Sequence, residues 1–287
     1  MTEFKRVGIV AKPQPDPDTV DFERLTGVIE SHGASVTLDD EAGRMIGSNG
    51  IPREQLAAAS DLLIVLGGDG TLLSIAPSAA AADVPVFGVN YGGLGFMTPT
   101  PRDELESATH AILDGEYTDS RRRLLRATVT GPERQDPFVR DVLNDAVINK
   151  NELARVVELR ASVNGEFVSN FVADGLIVCT TTGSTAYSLA AGGPIVTPDV
   201  DAIVLTPISP HTLSNRPLVL PGDADVEIEL VSKDMQIILT LDGQRGIQLH
   251  SEDRVKLQRS PHRLHLLHPG QRSYFEVLRT KLRWGKR

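Results

Sequence analysis

The apolar run Leu62-Leu63-Ile64-Val65-Leu66 passes directly into Gly67-Gly68-Asp69-Gly70-Thr71, and Thr71-Leu72-Leu73 opens a helical pattern. Nothing else in the chain constrains the fold as strongly. Five consecutive apolar residues bounded by glycines read as a buried strand, and buried strands that turn into helices belong to helix-covered, mostly parallel sheets. Glycine permits φ > 0 and close backbone approach, so the corner can present N–H groups to an oligophosphate, with the helix N-terminus adding a favourable dipole. Gly and Asp also make ordinary strand-to-helix corners that bind nothing. Asp69 reads as an acid without a partner, and a carboxylate among phosphates repels them unless it holds a metal ion, bonds a hydroxyl or accepts a proton.

The surrounding pattern extends this reading. Val7 to Ala11 forms a strand-like run, Phe22, Leu25 and Ile29 share one helix face, and Ser35 to Leu38 is again strand-like. Arg53 to Ala59 follows Pro52 as a helix, Val84 to Val89 is a further buried strand, and Leu105, Ala108 and Ile112 share another helix face. Strand and helix alternating in this way predicts an α/β domain over residues 1–118. In such sheets ligands bind beyond the carboxyl ends of the strands, where Asp69 falls.

Near residue 118 the period changes to two, as in Val226-Glu227-Ile228-Glu229-Leu230, which predicts a mainly β domain over 119–268. Asn164-Gly165 and Asp242-Gly243 are hairpin signals. Gly183 to Pro194 interrupts the strands as a short helix bounded by glycines, a site candidate in itself. Residues 269–287 form a C-terminal helical segment, with Phe275, Leu278 and Leu282 on one side, expected to pack back on the N-terminal domain.

With 287 residues the chain suits two domains with separate cores. The net charge of −9 argues against a general nucleic-acid binder, whose phosphate contacts need a basic face. Arg121-Arg122-Arg123 reads best as a solvated strand entry. The lone Cys179, in an apolar run, excludes an intrachain disulfide and fits packing in a reducing cytoplasm. No membrane-length apolar stretch or signal-peptide plan is expected, so the chain reads as cytoplasmic. The chain lacks a P-loop of the Gly-Lys-Ser/Thr type, a Gly-x-Gly-x-x-Gly fingerprint, a Cys-x-x-Cys pair, a zincin helix and a nucleophile elbow. Hydride transfer, zinc hydrolysis and serine hydrolysis lose ground accordingly. The histidines read as core or surface residues rather than metal ligands.

Four segments combine into a signature: Gly67 to Thr71, Leu143-Asn144-Asp145-Ala146-Val147, Asp174 to Ser188, and Leu241-Asp242-Gly243-Gln244. In this order, with Asn90 to Phe96 and Ser209 to Pro217 between them, they closely resemble the NAD kinases, which transfer the γ-phosphate of ATP to the 2′-hydroxyl of the adenosine ribose of NAD. The resemblance runs from Leu62 to Gln244. Its Gly-Gly-Asp-Gly-Thr element is shared with lipid kinases and some phosphofructokinases, whereas Asp174 to Pro194 is particular to the NAD kinases.

The resemblance implies roles for individual residues. Asp69 matches the catalytic acid that takes the ribose proton, within a phosphate loop of Gly67, Gly68, Gly70 and Thr71, with Gly70 also touching the dinucleotide. Asn144 and Asp145 match a pair that holds the adenine and ribose ends of the dinucleotide and closes a strand. Asp174 matches an acid near the nicotinamide carboxamide. Thr185, Ala186 and Tyr187 match residues around the adenine and reacting ribose, with Ser188, Leu189 and Ala190 extending that wall, and Arg155 and Gln244 match further binding positions. Mg²⁺ bridging the nucleotide phosphates is implied as the cofactor, with no direct protein ligand assigned, and ATP or polyphosphate as donor. A homodimer or homotetramer is implied as well.

Two departures stand out. Asp145 occupies a position that is Glu in many members, which shortens its reach by roughly 1.5 Å. Val172 stands where some members that discriminate against NADH carry a basic residue. Rival readings are a lipid kinase of the same superfamily, which would need an apolar entrance for an acyl chain, and a non-catalytic NAD(P) sensor that keeps the pocket but has little use for Asp69.

Overall fold

The computed structural model describes residues 3–12, 19–150, 156–212, 214–232, 236–270 and 272–284. The chain divides into two units, Met1–Arg122 with His262–Arg287, and Arg123–Pro261. Sequence pattern places the boundaries instead at 118 and 268. The contact boundaries fall inside two long strands, Tyr117–Thr130 and Arg254–Pro269, so neither is marked by a loop or a change of period.

The first unit begins with strand β1 (Arg6–Ala11), helix α1 (Thr19–Ser31), β2 (Ser35–Leu38), α2 (Asp40–Met45), α3 (Arg53–Ala59), β3 (Leu62–Leu66), α4 (Asp69–Ala81) and β4 (Val86–Asn90). A two-residue β5 (Thr100–Pro101) and α5 (Leu105–Leu113) follow. Its parallel strands run in the order β2-β1-β3-β4, with β3 between β1 and β4 and every residue of β3 buried. Phe22, Leu25 and Ile29 of α1 and Ile112 of α5 close over Ile9, Ile64 and Phe87 in one apolar core. Each such side chain contributes roughly 1.5–3 kcal/mol by leaving water. This sandwich holds the end of β3 rigid, and with it the glycine corner.

The second unit is antiparallel throughout its two sheets. Its strands are β6 (Tyr117–Thr130, entering from the first unit), β7 (Phe138–Val142), β8 (Asp145–Lys150), β9 (Val157–Val163), β10 (Glu166–Ala173) and β11 (Gly175–Thr180). After the one-turn helix α6 (Tyr187–Ala190) come β12 (Ala202–Ile208), β13 (Leu218–Pro221), β14 (Val226–Leu230), β15 (Ile237–Leu241), β16 (Arg245–Leu249) and the long β17 (Arg254–Pro269). One sheet runs β13-β12-β11-β8-β15-β16, and the other contains β10-β9-β14-β17. Asn164 (φ 52°) and Gly165 (φ 81°) make the β9–β10 turn, the two left-handed residues that a two-residue hairpin requires.

Leu176 and Val178 of β11 face a core shared with Leu159, Val226 and Leu257 of the other sheet, while Ile177 and Cys179 face a second cluster with Val147 and Val204. Burial on both faces explains the unbroken apolar run of β11. Burial also pushes the Cys179 thiol up to about 12, which leaves it an inert packing group. The end of β17 returns to the first unit, where Leu266 and Leu267 pair in parallel with Val86 and Phe87, and helix α7 (Tyr274–Leu282) follows. Arg122 departs from the sequence reading: it is buried at 8% exposure rather than solvated. No helix among the described residues is long and apolar enough to cross a membrane.

Candidate functional site

In the first unit, β3 delivers the chain into Gly67, whose N–H bonds the carbonyl of Val89 at 2.9 Å. A Cβ on Gly67 would collide with the side chain of Thr71, so the corner closes only around glycine. Gly68 caps α4 without a side chain, and its carbonyl receives the N–H groups of Thr71 and Leu72 at 3.0 and 3.2 Å. Gly70 is exposed and Thr71 buried.

Asp69, in the first turn of α4, is not the unpartnered acid expected. Its Oδ1 accepts the N–H groups of Met97 and Thr98 at 3.0 and 3.1 Å and the Thr98 hydroxyl at 3.0 Å, and its Oδ2 accepts the N–H of Phe96 at 2.8 Å. Asn90 completes the knot, donating to Thr98 Oγ1 at 2.9 Å and accepting from Gly92 N at 2.7 Å. A Cβ on Gly95 would collide with Asp69 Oδ1 and Thr98 Oγ1. The Gly92-Gly93-Leu94-Gly95 stretch is therefore a fitted loop rather than a loose connector. Oδ1 holds three donors while Oδ2 holds one among the described residues, so Oδ2 keeps a lone pair for a further donor.

In the second unit, a cleft of about 330 Å³ is lined by Asn144, Asp145, Val147, Asn149, Ala186, Tyr187, Thr240, Asp242 and Gly243. Asn144 and Asp145 open β8 rather than closing a strand, because Leu143 and Asn144 form the bend after β7. Asp242, in the left-handed region (φ 51°), fixes that bend: its carboxylate accepts the N–H groups of Leu143, Asn144 and Asp145 at 2.9, 2.7 and 3.1 Å. From the other side Thr180 donates its hydroxyl to Leu143 O at 2.5 Å and its N–H to Asn144 O at 2.9 Å. Gly183 packs against the Asn144 backbone where a Cβ would not fit. Asn144 Oδ1 is buried with no hydrogen-bond partner among the described residues.

The electrostatics of the cleft follow from burial. Asp145 is pushed up to about 7 by desolvation and by the nearby Asp242 charge. Desolvation likewise raises Asp242, to about 6, against the opposing pull of its three N–H bonds. Both acids thus hold a proton more readily than an ordinary carboxyl does.

The remaining expected residues fall in several places. Ala186 and half-exposed Tyr187 line the cleft, while Ser188 is buried with its hydroxyl 2.8 Å from that of Thr206. Thr185 donates its hydroxyl to Thr182 O at 3.3 Å, Leu189 is partly buried and Ala190 exposed. Asp174 lies at the opposite end of β11 from Thr180 and pairs with Lys150 at 2.6 Å. Gln244 is exposed on the turn after β15, with its N–H on Leu241 O at 2.9 Å. Arg155 lies outside the described residues. Sequence reading missed Val147, Asn149 and Thr240 as cleft residues, although two-residue spacing from Asp145 and Asp242 marks all three. It also missed Ser184, whose hydroxyl donates to Thr181 O at 2.7 Å and accepts Val196 N at 3.0 Å, pinning the turn before α6.

Residues 7–117 match the ATP-NAD kinase N-terminal domain family, and residues 143–268 the ATP-NAD kinase C-terminal domain family. The NAD kinase of Geobacter metallireducens is 47% identical over 266 residues, covering 92% of this chain and 90% of that one. The chain belongs to the NAD kinase family. The NAD kinase of Geotalea daltonii is 43% identical over 99% of this chain and all of its own (100%). Among solved structures, yeast NADH kinase complexed with NADH superposes with a TM-score of 0.88 at 26% identity, covering 99% of this chain and 88% of that one. The NAD kinase of Archaeoglobus fulgidus in complex with ATP shares the fold, with a TM-score of 0.75 at 24% identity over 97% of this chain and 98% of that one. An α/β unit followed by a β-rich unit is thus the NAD kinase architecture, and both halves of the signature sit on it.

Proposed function

We propose that the protein transfers the γ-phosphate of ATP to the 2′-hydroxyl of the adenosine ribose of NAD, with Asp69 Oδ2 as the acceptor of the ribose proton. The observation that carries this assignment is the asymmetry of the Asp69 carboxylate, three donors on one oxygen and one on the other. The crowded oxygen fixes the side chain. The less crowded one is left to aim a hydroxyl and take its proton late, as the bond to phosphorus forms. The corner of Gly67, Gly68, Gly70 and Thr71 lies against the transferring phosphate, with the N-terminal end of α4 supplying a favourable dipole.

The dinucleotide occupies the cleft of the β unit. Asn144 Oδ1, a buried acceptor with no partner among the described residues, suits an exocyclic amino group of the adenine, and Asp145 suits a ribose hydroxyl. Tyr187 and Ala186 line the cleft and suit the adenine ring, and by the family resemblance Thr185, Ser188, Leu189, Ala190, Gln244 and Arg155 are assigned to the same dinucleotide. Asp145 and Lys150, the partner of Asp174, are the first and last of the six residues of β8, roughly 17 Å apart at strand rise, a distance suited to an extended dinucleotide with its nicotinamide at Asp174.

Among the described residues no three His, Cys, Asp or Glu side chains gather as a metal cluster. The reading takes Mg²⁺ or another divalent cation as the cofactor, carried by the nucleotide phosphates as in many kinases, where it neutralises oxyanion charge. We further propose ATP as donor with polyphosphate as the alternative, a homodimer or homotetramer, and a cytoplasmic location. Incubation of the purified protein with NAD, ATP and Mg²⁺, followed by enzymatic detection of NADP, tests the central assignment. NADP formation supports it, and binding of NAD without turnover would point to a sensor.

A further inference from the structure

The C-terminal segment of the first unit sets two cations on the loop that grips Asp69. Ser273 starts α7 by accepting the Glu276 N–H on its hydroxyl at 3.2 Å, and the N–H of Trp284 closes the helix on Arg279 O at 3.0 Å. Val277 and Leu278 are buried, and Val277 shares the wall of a cavity with Phe96 and Pro99, so apolar packing seats the helix beside the loop. From this seat Lys281, exposed in the last turn, donates to Leu94 O and stands 6.0 Å from the centroid of the Phe96 ring. Just before the helix, Arg272 donates to Pro99 O at 2.6 Å and pairs with Glu104, which anchors it from the other side. Leu94 and Pro99 flank Phe96, Met97 and Thr98, the three residues whose N–H groups hold the Asp69 carboxylate. Both ends of the gripping segment are thus fastened by side chains 173 and 187 residues further along the chain.

We propose that Lys281 and Arg272 are positioning residues for the phosphoryl transfer, acting through Asp69 by fixing the loop that holds it; the proposal rests on Asp69 being the acceptor of the ribose proton. A hydrogen bond from a charged donor is stronger than one between neutral groups, so two of them on one short loop oppose its withdrawal. Inside the loop, Gly95 N reaches Thr98 O only at 3.4 Å, a long bond that lends little stiffness of its own. A loop released from the two cations relaxes its grip, and the Asp69 carboxylate loses its fixed aim. Transfer tolerates little of this, since a misplacement of about 1 Å costs up to about a hundredfold in rate. Neither cation lines the cleft in which NAD is placed, so their loss falls on kcat rather than on KM for NAD.

Lys281→Met is the first test, because the residue is exposed and buried Val277 and Leu278 keep the helix docked without it. In the full chain with NAD, ATP and Mg²⁺, Lys281→Met is expected to lower kcat about tenfold or more with KM for NAD within about twofold of the parent's, and Arg272→Met to act in the same direction. Lys281→Arg, which keeps a charged donor, should recover most of the rate. In an Asp69→Asn background Lys281→Met should change the residual rate by less than about twofold, since residues that act as a unit are not additive. Amide exchange at Phe96, Met97 and Thr98, followed by NMR without substrates, should quicken about tenfold or more in Lys281→Met. Parental kcat in Lys281→Met, unchanged amide exchange, or an equal fall in the Asp69→Asn background overturns the proposal. A parent that forms no NADP would count against the assigned reaction, whereas the exchange rates read the fastening of the loop with no turnover at all.

Discussion

Asp242 holds Asp145 by its backbone and opposes it by its charge. The Asp242 carboxylate accepts the Asp145 N–H at 3.1 Å, together with those of Leu143 and Asn144, yet its charge also raises Asp145 to about 7. The same contact that builds the entrance of β8 places two acids in one desolvated corner. A ligand hydroxyl that donates to Asp145 relieves the arrangement by stabilising its charged form.

Stability should respond to pH through this pair. Both acids lie above their ordinary value of 3.8, so between about 4 and about 7 the folded state binds more protons than the unfolded chain, and stability falls as pH rises through that window. Asp145→Asn removes part of the effect. Urea midpoints at about pH 5 and about pH 7.5 should therefore drop less on raising the pH in Asp145→Asn than in the parent. An equal drop in both proteins would show that the pair does not titrate in this range.

Asp242→Ala leaves three N–H groups in or beside a buried bend without their acceptor. At about 1–3 kcal/mol for an unsatisfied buried group, partly offset by relief of the repulsion with Asp145, a net loss of about 2–4 kcal/mol is expected. Asp242→Asn, which keeps an acceptor oxygen, should lose less. Urea unfolding checks both, and a stable alanine variant would mean that the bend holds itself.

Gly95→Ala places a methyl group where Asp69 Oδ1 and Thr98 Oγ1 already meet. Overpacking of this kind costs about 1–3 kcal/mol, and here the loop must retreat from Asp69. Thermal unfolding should show the loss, and turnover should fall while NAD affinity by calorimetry stays close to the parent's. Normal turnover would separate the Asp69 knot from catalysis.

Tyr187 is 45% exposed, so Tyr187→Ala should leave stability nearly unchanged. Stacking on a base is worth about 1–3 kcal/mol, which corresponds to NAD binding roughly 5- to 150-fold weaker by calorimetry. Unchanged affinity would remove Tyr187 from the adenine end of the cleft.

Local patterns made much of this legible. The run Leu62–Leu66, the face of Phe22, Leu25 and Ile29, and the Asn164-Gly165 turn each follow from a single period or a single pair of φ angles, and the structure has them where the residues place them. The partners of Asp69 were not legible, because they lie 27–29 residues away at Phe96 to Thr98, past a glycine-rich stretch, Gly92 to Gly95, that marks a loop but not what it grips. The burial of Arg122 was hidden for a related reason. Three adjacent arginines look solvated, while strand alternation turns the middle one inward. Asn144-Asp145 was placed at the wrong end of a strand because the bend that frees β8 is made by Asp242, about a hundred residues later.

The most direct test of the account is the rate of NADP formation by Asp69→Asn beside the parent, with NAD affinity measured on the same preparations. The asparagine oxygen can keep the three donors of Oδ1 in the loop knot, while its amide NH2 stands where Oδ2 would take the proton and gives up the Phe96 N–H bond. The account predicts turnover lower by about a hundredfold or more with NAD binding retained. Parental turnover in Asp69→Asn would contradict it.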